Sequence, residues 1–246
     1  VALIAIVFAL ITFLPYLVGD GLSDTPGGVI SSYVSSIQFL IVLAVTLFAS
    51  VVIVSEFEER TALILFTRPI KKTSIFLGKV LGCLALETVM IVIFYLGMAA
   101  VTFIIAGSIS GEFLISLGVA FLYLVATSGV AILISSVMKK GSICAILTFV
   151  LLLLILPIIS QAIGGVVDPW FMLDQAAGAI ATSIPEYVTS MNEMIQNIID
   201  NLNLPPGMFE SMMVSAPDMV KTVVTMLAWA IVSMVSAWVA FIRREF

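Results

Sequence analysis

The sequence predicts an all-α, polytopic membrane protein with about six transmembrane helices and little material outside the membrane. Of its 246 residues, 62% are hydrophobic and only 10% are charged, and the mean hydropathy is +1.27. A water-soluble fold of this size would have to expose far more apolar side chain than soluble proteins tolerate. The apolar runs are continuous where a membrane β-barrel would need alternation, so they favour helices.

Six apolar stretches are long enough to cross a bilayer, because each approaches the roughly 20 helical residues that span a ~30 Å hydrocarbon core. Together they predict a single transmembrane domain over residues 1–246. The predicted spans are 1–18, 36–54, 80–106, 113–137, 143–163 and 219–242. The chain begins with Val1 and is apolar at once, without the basic segment of a signal peptide, so we expect its natural beginning to be missing.

Basic residues predict the orientation. Nine of the ten fall in connections that share one side of a six-span bundle, and only Lys221 lies opposite. The nine are Arg60, Arg68, Lys71, Lys72, Lys79, Lys139, Lys140, Arg243 and Arg244. By the positive-inside rule this side is cytoplasmic, so we expect a multi-pass plasma-membrane protein with both ends in the cytoplasm.

The outer connections differ in length. Residues 107–112 form a short turn, and Pro26-Gly-Gly28 is a turn signal within a first outer loop near 19–35. The outer segment 164–218 is the longest, and apolar residues at helical spacing over 187–202 predict an amphipathic helix there. A cap packed over the bundle is the favoured role of this helix, and direct contact with substrate is the alternative.

Two spans carry local signals. Pro157 predicts a kink in the fifth span, because proline removes a helical donor. Ser233, Ala237 and Ala240 place small residues on one face of the sixth span, which suits close helix contact.

The absence of histidine excludes several chemistries. Without it the chain has no Ser-His-Asp triad, no haem with a histidine ligand and none of the usual zinc sites. The two cysteines, Cys83 and Cys144, lie in apolar runs and are expected to be buried packing residues. We therefore predict no metal site and no catalytic residue.

Residues 56–79 are the most informative stretch. Glu56, Glu58 and Glu59 favour the N-terminus of a short helix, Arg68 lies near its end, and Pro69 terminates it. Basic residues then lead into the third span. Such a helix presents charge and apolar surface on the cytoplasmic side, and the alternative is a helix that lies passively on lipid headgroups.

This stretch resembles the signature of the type-2 family of ABC transporter permeases, membrane subunits of exporters with the type V fold. Glu56, Glu58, Thr61, Leu65, Thr67, Pro69, Ile70, Lys71, Lys72, Ile75, Gly78 and Lys79 match that signature in register. The sequence departs from it at Arg60, where glycine is usual, and at Ala62, where leucine is usual. Six spans and a long outer segment before the last one are also similar to the family's layout.

The resemblance implies that 56–68 is a coupling helix seated on a separate ATP-binding subunit. The implied contacts are Glu56, Glu58, Glu59, Thr61, Leu65, Arg68 and Pro69, and the implied inner interface anchors are Lys71, Lys72, Gly78 and Lys79. It also implies a second permease subunit, identical or related. ATP and Mg²⁺ would bind the partner, with no cofactor on this chain. Membrane lipid is expected around it, and nucleic acid is not.

The chain itself lacks a phosphate-binding loop. Its Gly78-Lys79 pair has Thr73 where that loop needs its first glycine and Val80 where it needs Ser or Thr. Two other classes of membrane protein lack their required features in this sequence. A stand-alone channel or ion-coupled transporter would need paired intramembrane charges or an internal repeat, and a membrane-embedded protease would need the missing histidines.

Glu87 is an acidic residue inside the third predicted span. An ionised carboxylate at that depth costs roughly 2.5–3.5 kcal/mol on insertion scales. We expect the side chain to be protonated, hydrogen-bonded between helices or facing a wet cavity. A structural interhelical bond and a place on the substrate or conformational path are both open.

Overall fold

The computed structural model describes residues 25–58, 71–164, 166–201 and 213–243, and the regular structure in these ranges is helical. Within them, five stretches are long and apolar enough to cross a membrane. They are Pro26–Leu47, Lys72–Ala106, Glu112–Val137, Gly141–Gly164 and Met219–Arg243. These match the second to sixth predicted spans, and the first, 1–18, lies outside the described residues. The all-α prediction is confirmed.

The second span is formed by α1 (Pro26–Val34) and α2 (Ile37–Leu47). It begins earlier than the predicted residue 36, because Pro26 starts the helix instead of making a turn. Proline suits the first helical position, where its missing N–H has no intrahelical partner, and the Thr25 hydroxyl accepts the Gly28 N–H at 3.2 Å. After turns over 48–53, the short helix α3 (Val54–Glu58) leads toward residues 59–70, which lie outside the described ranges.

The third span, α4 (Lys72–Ala106), is longer than predicted. Its 35 residues extend about 52 Å, well beyond a ~30 Å hydrocarbon core. The extra turns are residues 72–79, at the N-terminal end of the helix, before the predicted start at residue 80. The helix ends at Gly107, whose φ of 69° is the left-handed conformation that favours glycine at a C-terminus.

The fifth span combines α6 (Gly141–Val150), a π-helical turn (Leu151–Ile155) and α7 (Leu156–Gly164). In the π turn the Leu156 N–H bonds to the Leu151 carbonyl, five residues back. The wide turn lies directly before Pro157, where the proline ring would collide with the carbonyl four residues earlier in a regular α-helix. A π turn therefore lies directly before Pro157, where the sequence predicted a kink.

The outer segment contains α8 (Leu173–Thr182) and α9 (Pro185–Asn201). Helix α9 matches the predicted amphipathic helix, and none of its described side chains is fully buried. Helix α8 was not predicted. It is rich in alanine, too short to span, and buried among α1, α2, α7, the fourth span (α5, Glu112–Val137) and the last span (α10, Met219–Arg243). The outer segment thus enters the bundle as well as covering it.

Helix α5 (Glu112–Val137) is central, and its most extensive contact is with the last span, α10 (Met219–Arg243). Small residues allow this contact. A methyl group placed on Gly129 would overlap the Ser233 hydroxyl and lie 3.3 Å from the Ser233 Cβ. The small face predicted in the sixth span is therefore a helix-packing face at Ser233 and at Ala237, which is fully buried. Large apolar side chains on α4, such as Leu96 and Ile104, are more than half exposed, as lipid-facing residues are.

Candidate functional site

The basic ends of the spans meet at one end of the bundle. Lys79 of α4 forms an ion pair with Glu56 of α3, with Nζ and Oε1 2.6 Å apart. Lys79 also donates to the Val52 carbonyl in the turn before α3, at 3.2 Å. The Phe76 and Phe241 rings, 5.5 Å apart between centroids, place the start of α4 beside the end of α10.

Glu58 connects this end to the fifth span. Its Oε2 accepts a hydrogen bond from the Gly141 N–H at 2.8 Å. Gly141 is the first residue of α6, so its N–H has no partner within that helix. A carboxylate there also interacts favourably with the positive end of the helix dipole.

Ser135 holds the turn before α3 and was not singled out from the sequence. Its buried hydroxyl, near the end of α5, accepts the backbone N–H groups of Ile53 at 3.1 Å and Val54 at 3.0 Å. These donors are free because the second span leaves regular helix over 48–53. A serine within an apolar helix could have marked Ser135 as a candidate polar contact. Its partners could not be predicted, because only the fold places it beside this turn.

The structure describes part of the predicted coupling site. Glu56 and Glu58 are paired within the chain, as given above. Lys71 precedes α4 and is exposed, Lys72 is partly buried at its first turn, and Gly78 is exposed with open space around its Cα. Glu59, Thr61, Leu65, Arg68 and Pro69 lie outside the described residues, so the coupling helix itself and its contacts stay predictions.

Glu87 is fully buried between helices. Its Oε2 accepts from the Ser128 hydroxyl of α5 at 2.5 Å, and its Oε1 accepts from the Cys83 thiol at 3.4 Å. The bond with Ser128 joins the third predicted span to the fourth, and the bond with Cys83 lies within the third. A place on the transport path stays a prediction.

Polar bonds also fix the buried outer helix α8. The Ser116 hydroxyl of α5 donates to the Ile180 carbonyl at 2.9 Å, so the Tyr95 hydroxyl of α4 must donate to Ser116, 2.9 Å away. Gln175 of α8 donates to the Ser160 hydroxyl of α7, also at 2.9 Å. On the other side, Trp229 of α10 donates its indole N–H to the Phe171 carbonyl at 3.0 Å.

Asp174 of α8 accepts a hydrogen bond from the Gln38 amide of α2 at 3.4 Å. Burial raises the pKa of this carboxyl, and the bond from Gln38 opposes the shift. The folded protein therefore binds this proton more tightly than the unfolded chain does. The resulting stabilisation is present below the ordinary aspartate pKa of about 3.9 and is lost as pH rises through the raised value.

We expect Asp174→Asn to flatten the fall in stability between about pH 4 and pH 7, because asparagine cannot ionise and still accepts from Gln38. The Tm at pH 7 should rise by about 1–2 °C, a small change because the carboxyl is only partly buried. Thermal unfolding in detergent across this pH range measures the Tm and its dependence on pH. Asp168→Asn, at an exposed outer residue, is the matched control and should leave the slope unchanged. Equal pH slopes in Asp174→Asn and the unmodified protein would contradict the assignment.

Comparison with known proteins establishes the class of this bundle. A family described as ABC-2 family transporter protein matches residues 18–246, nearly the whole chain. The chain belongs to the ABC-2 transporter family. No curated protein matches it significantly in sequence.

As an ABC-2 family protein, the chain is a multi-pass membrane permease of an ABC transporter. The family membership that residues 56–79 predicted is confirmed. Proteins of this family generally lack an ATPase of their own and work with a separate ATP-binding subunit. Across the described residues, no cluster of three or more His, Cys, Asp or Glu side chains is suited to holding a metal ion.

Proposed function

We propose that this chain is the membrane subunit of an ATP-driven exporter, in which a separate ATP-binding subunit drives substrate across the plasma membrane. The basic end of the bundle faces the cytoplasm, and both chain ends lie there. Two such subunits, identical or related, enclose the pathway. ATP and Mg²⁺ bind the partner subunit, and this chain contributes the pathway and the surface that receives force.

The proposal rests on the position of the two residues that flank segment 59–70 of the signature. Glu58 precedes residues 59–70 and Lys71 follows them. Both flanks lie at the basic end, since Glu56 pairs with Lys79 and Glu58 with Gly141. The positive-inside rule assigns that end to the cytoplasm, where ATP is available. This is the side on which an ATP-binding subunit has to dock.

The connections at this end support a mechanical role. A force applied to residues 59–70 acts directly on α3 and α4, which the chain joins, and α3 is bonded to α5 through Ser135. Apart from Glu87, which is held between helices, the described part of the third span has no charged residue between Lys79 and Ala106. Energy supplied from outside the membrane suits such a bundle better than a relay of intramembrane charges.

The test is site-specific photo-crosslinking of the full chain in its native membrane. A photo-reactive amino acid at Leu65 is expected to capture a protein that carries nucleotide-binding sequence motifs. The matched control places the same residue at Met194, an exposed apolar position on the outer helix α9. Adducts are separated by mass and identified by peptide sequencing.

The expected result is an ATP-binding adduct from position 65 and none from position 194. An ATP-binding adduct from position 194 would reverse the proposed orientation. Failure to capture such a protein from position 65, with the chain present in normal amounts, would overturn the coupling proposal and leave only the family assignment.

A further inference from the structure

The residues that lead into the coupling segment are bonded to three different helices. The Ile53 and Val54 amides bond to Ser135 of α5, and Glu56 pairs with Lys79 of α4. The third bond runs from Gly141 of α6 to Glu58. Lys79 lies on α4, the helix that follows residues 59–70 in the chain. Ser135 and Gly141 lie on α5 and α6, 81–83 residues away in sequence from their partners.

The contact between Glu58 and Gly141 depends on close approach. Gly141 is buried, and a Cβ added there would lie 3.0 Å from Glu58 Oε2 and also meet Val51 and Val54. Glycine therefore leaves room for the carboxylate at the first turn of α6. Lys140, the residue before, has an extended backbone with ψ of 130°, which aims the Gly141 N–H outward from the helix start.

The fifth span is bonded at its other end to the buried outer helix. The Ser160 hydroxyl of α7 is almost fully buried and accepts from Gln175 of α8. Helix α8 is in turn bonded to α2 and α5 through Asp174 and the Ile180 carbonyl. The segment α6–α7 thus joins the coupling end of the bundle to α8, through polar bonds at both of its ends.

We propose that Glu58 is a positioning residue. It transmits displacement of the coupling segment, residues 59–70, directly to the fifth span, and through the fifth span to α8. The inference rests on the proposed function, and it assigns Glu58 a partner inside this chain in place of the ATP-binding subunit. Glu56 transmits displacement to α4 in the same way, through its ion pair with Lys79. Movement of the coupling segment therefore reaches the outer half of the bundle by a route that does not pass along α4.

The test measures hydrogen exchange by mass spectrometry on the full transporter complex in lipid nanodiscs. Exchange is compared without nucleotide and with ATP plus vanadate, which traps the ATP-binding subunits. Glu58→Ala removes the acceptor, Glu58→Gln keeps an oxygen that accepts the Gly141 N–H, and Gly141→Pro removes the donor. Proline suits the first position of a helix, and an extended Lys140 tolerates it. The added Cβ is tight only against the end of the flexible Glu58 side chain, which can move away once the N–H is gone, so that variant should fold.

In the unmodified complex, nucleotide trapping is expected to change exchange in residues 72–80, 141–164 and 173–182. Glu58→Ala and Gly141→Pro should each reduce the change in 141–164 and 173–182 at least fivefold and leave that in 72–80 intact. Glu58→Gln should restore at least half of it. Glu56→Ala is the matched control, because it should instead reduce the change in 72–80.

Outcomes separate the two proposals. A full nucleotide-dependent change in 141–164 in Glu58→Ala would overturn this inference and leave the proposed function standing. Equal loss in Glu58→Ala and Glu58→Gln would also overturn it, because the charge and not the hydrogen bond would then be responsible. An unmodified chain that isolates with no ATP-binding subunit would overturn the proposed function, and this inference with it.

Discussion

Gly129→Leu is expected to separate α5 from α10 and to destabilise the bundle by about 3 kcal/mol, at the upper end of overpacking effects. Even a methyl group at this position would overlap the Ser233 hydroxyl. Ser233 has little freedom to move away, because its hydroxyl bonds to the Trp229 carbonyl at 2.6 Å. Leucine adds three more carbons at the most extensive helix contact of the fold. The measurement is thermal unfolding in detergent, with size-exclusion chromatography to detect aggregation.

A double-mutant cycle tests the specific contact. Gly129→Ala alone should lower stability, and adding Ser233→Gly should recover part of the loss by opening space for the new methyl group. The expected coupling is about 0.5–3 kcal/mol, the range for residues in direct contact. Gly118→Ala on the same helix, where a methyl group meets nothing within 4 Å, is the control and should not lower stability, because alanine is favoured over glycine inside a helix. Strict additivity in the cycle would contradict the packing described.

Glu87→Lys is the second substitution with a large expected effect. The Glu87 carboxyl accepts hydrogen bonds from two donors, the Ser128 hydroxyl and the Cys83 thiol. An ammonium group would face the same donors in a fully buried site, with no carboxylate to pair with among these neighbours. Charge in the membrane centre costs roughly 2.5–3.5 kcal/mol on insertion scales, so we expect little folded protein in membranes. Quantitative blotting after detergent extraction measures the amount of folded protein in the membrane.

Glu87→Gln is the matched control. Glutamine has a similar shape but only one acceptor oxygen, so it should lose one of these bonds and destabilise the fold by about 1 kcal/mol. Because that variant is expected to fold, it also tests the charge in transport. ATP-dependent export below a tenth of the normal rate is expected if the carboxyl lies on the conformational path, and full export would assign Glu87 a purely structural role. A well-folded Glu87→Lys protein would contradict the buried site itself.

Much of the membrane architecture followed from short-range features of the chain. Continuous apolar runs predicted helices because an unpaired backbone group in lipid is so costly that the helix is the simplest local solution. The ends of spans four and six are right to within a residue, since charges or turn residues adjoin them. The start of span two was wrong because Pro26 serves both as a turn residue and as a helix initiator.

The sequence predicted the family, but it did not predict which residues pair at the basic end of the bundle. The resemblance of residues 56–79 pointed to the family, and a family match over residues 18–246 confirmed that membership. However, the sequence offered no reason to pair Glu58 with Gly141 instead of the ATP-binding subunit. The donor that selects it is a backbone N–H, and every residue except proline has one.

By itself the sequence determined that this protein is embedded in lipid, where most of its spanning helices run and which end of them is basic. Solvent preference and backbone hydrogen bonding act on each segment separately, so local sequence is enough for these features. Only the tertiary structure decided that α8 is buried, that Gly129 meets Ser233, and that Glu56, Glu58 and Glu87 each have partners on another helix. These contacts join residues far apart in the chain. Their distances depend on how whole helices pack, which no local pattern records.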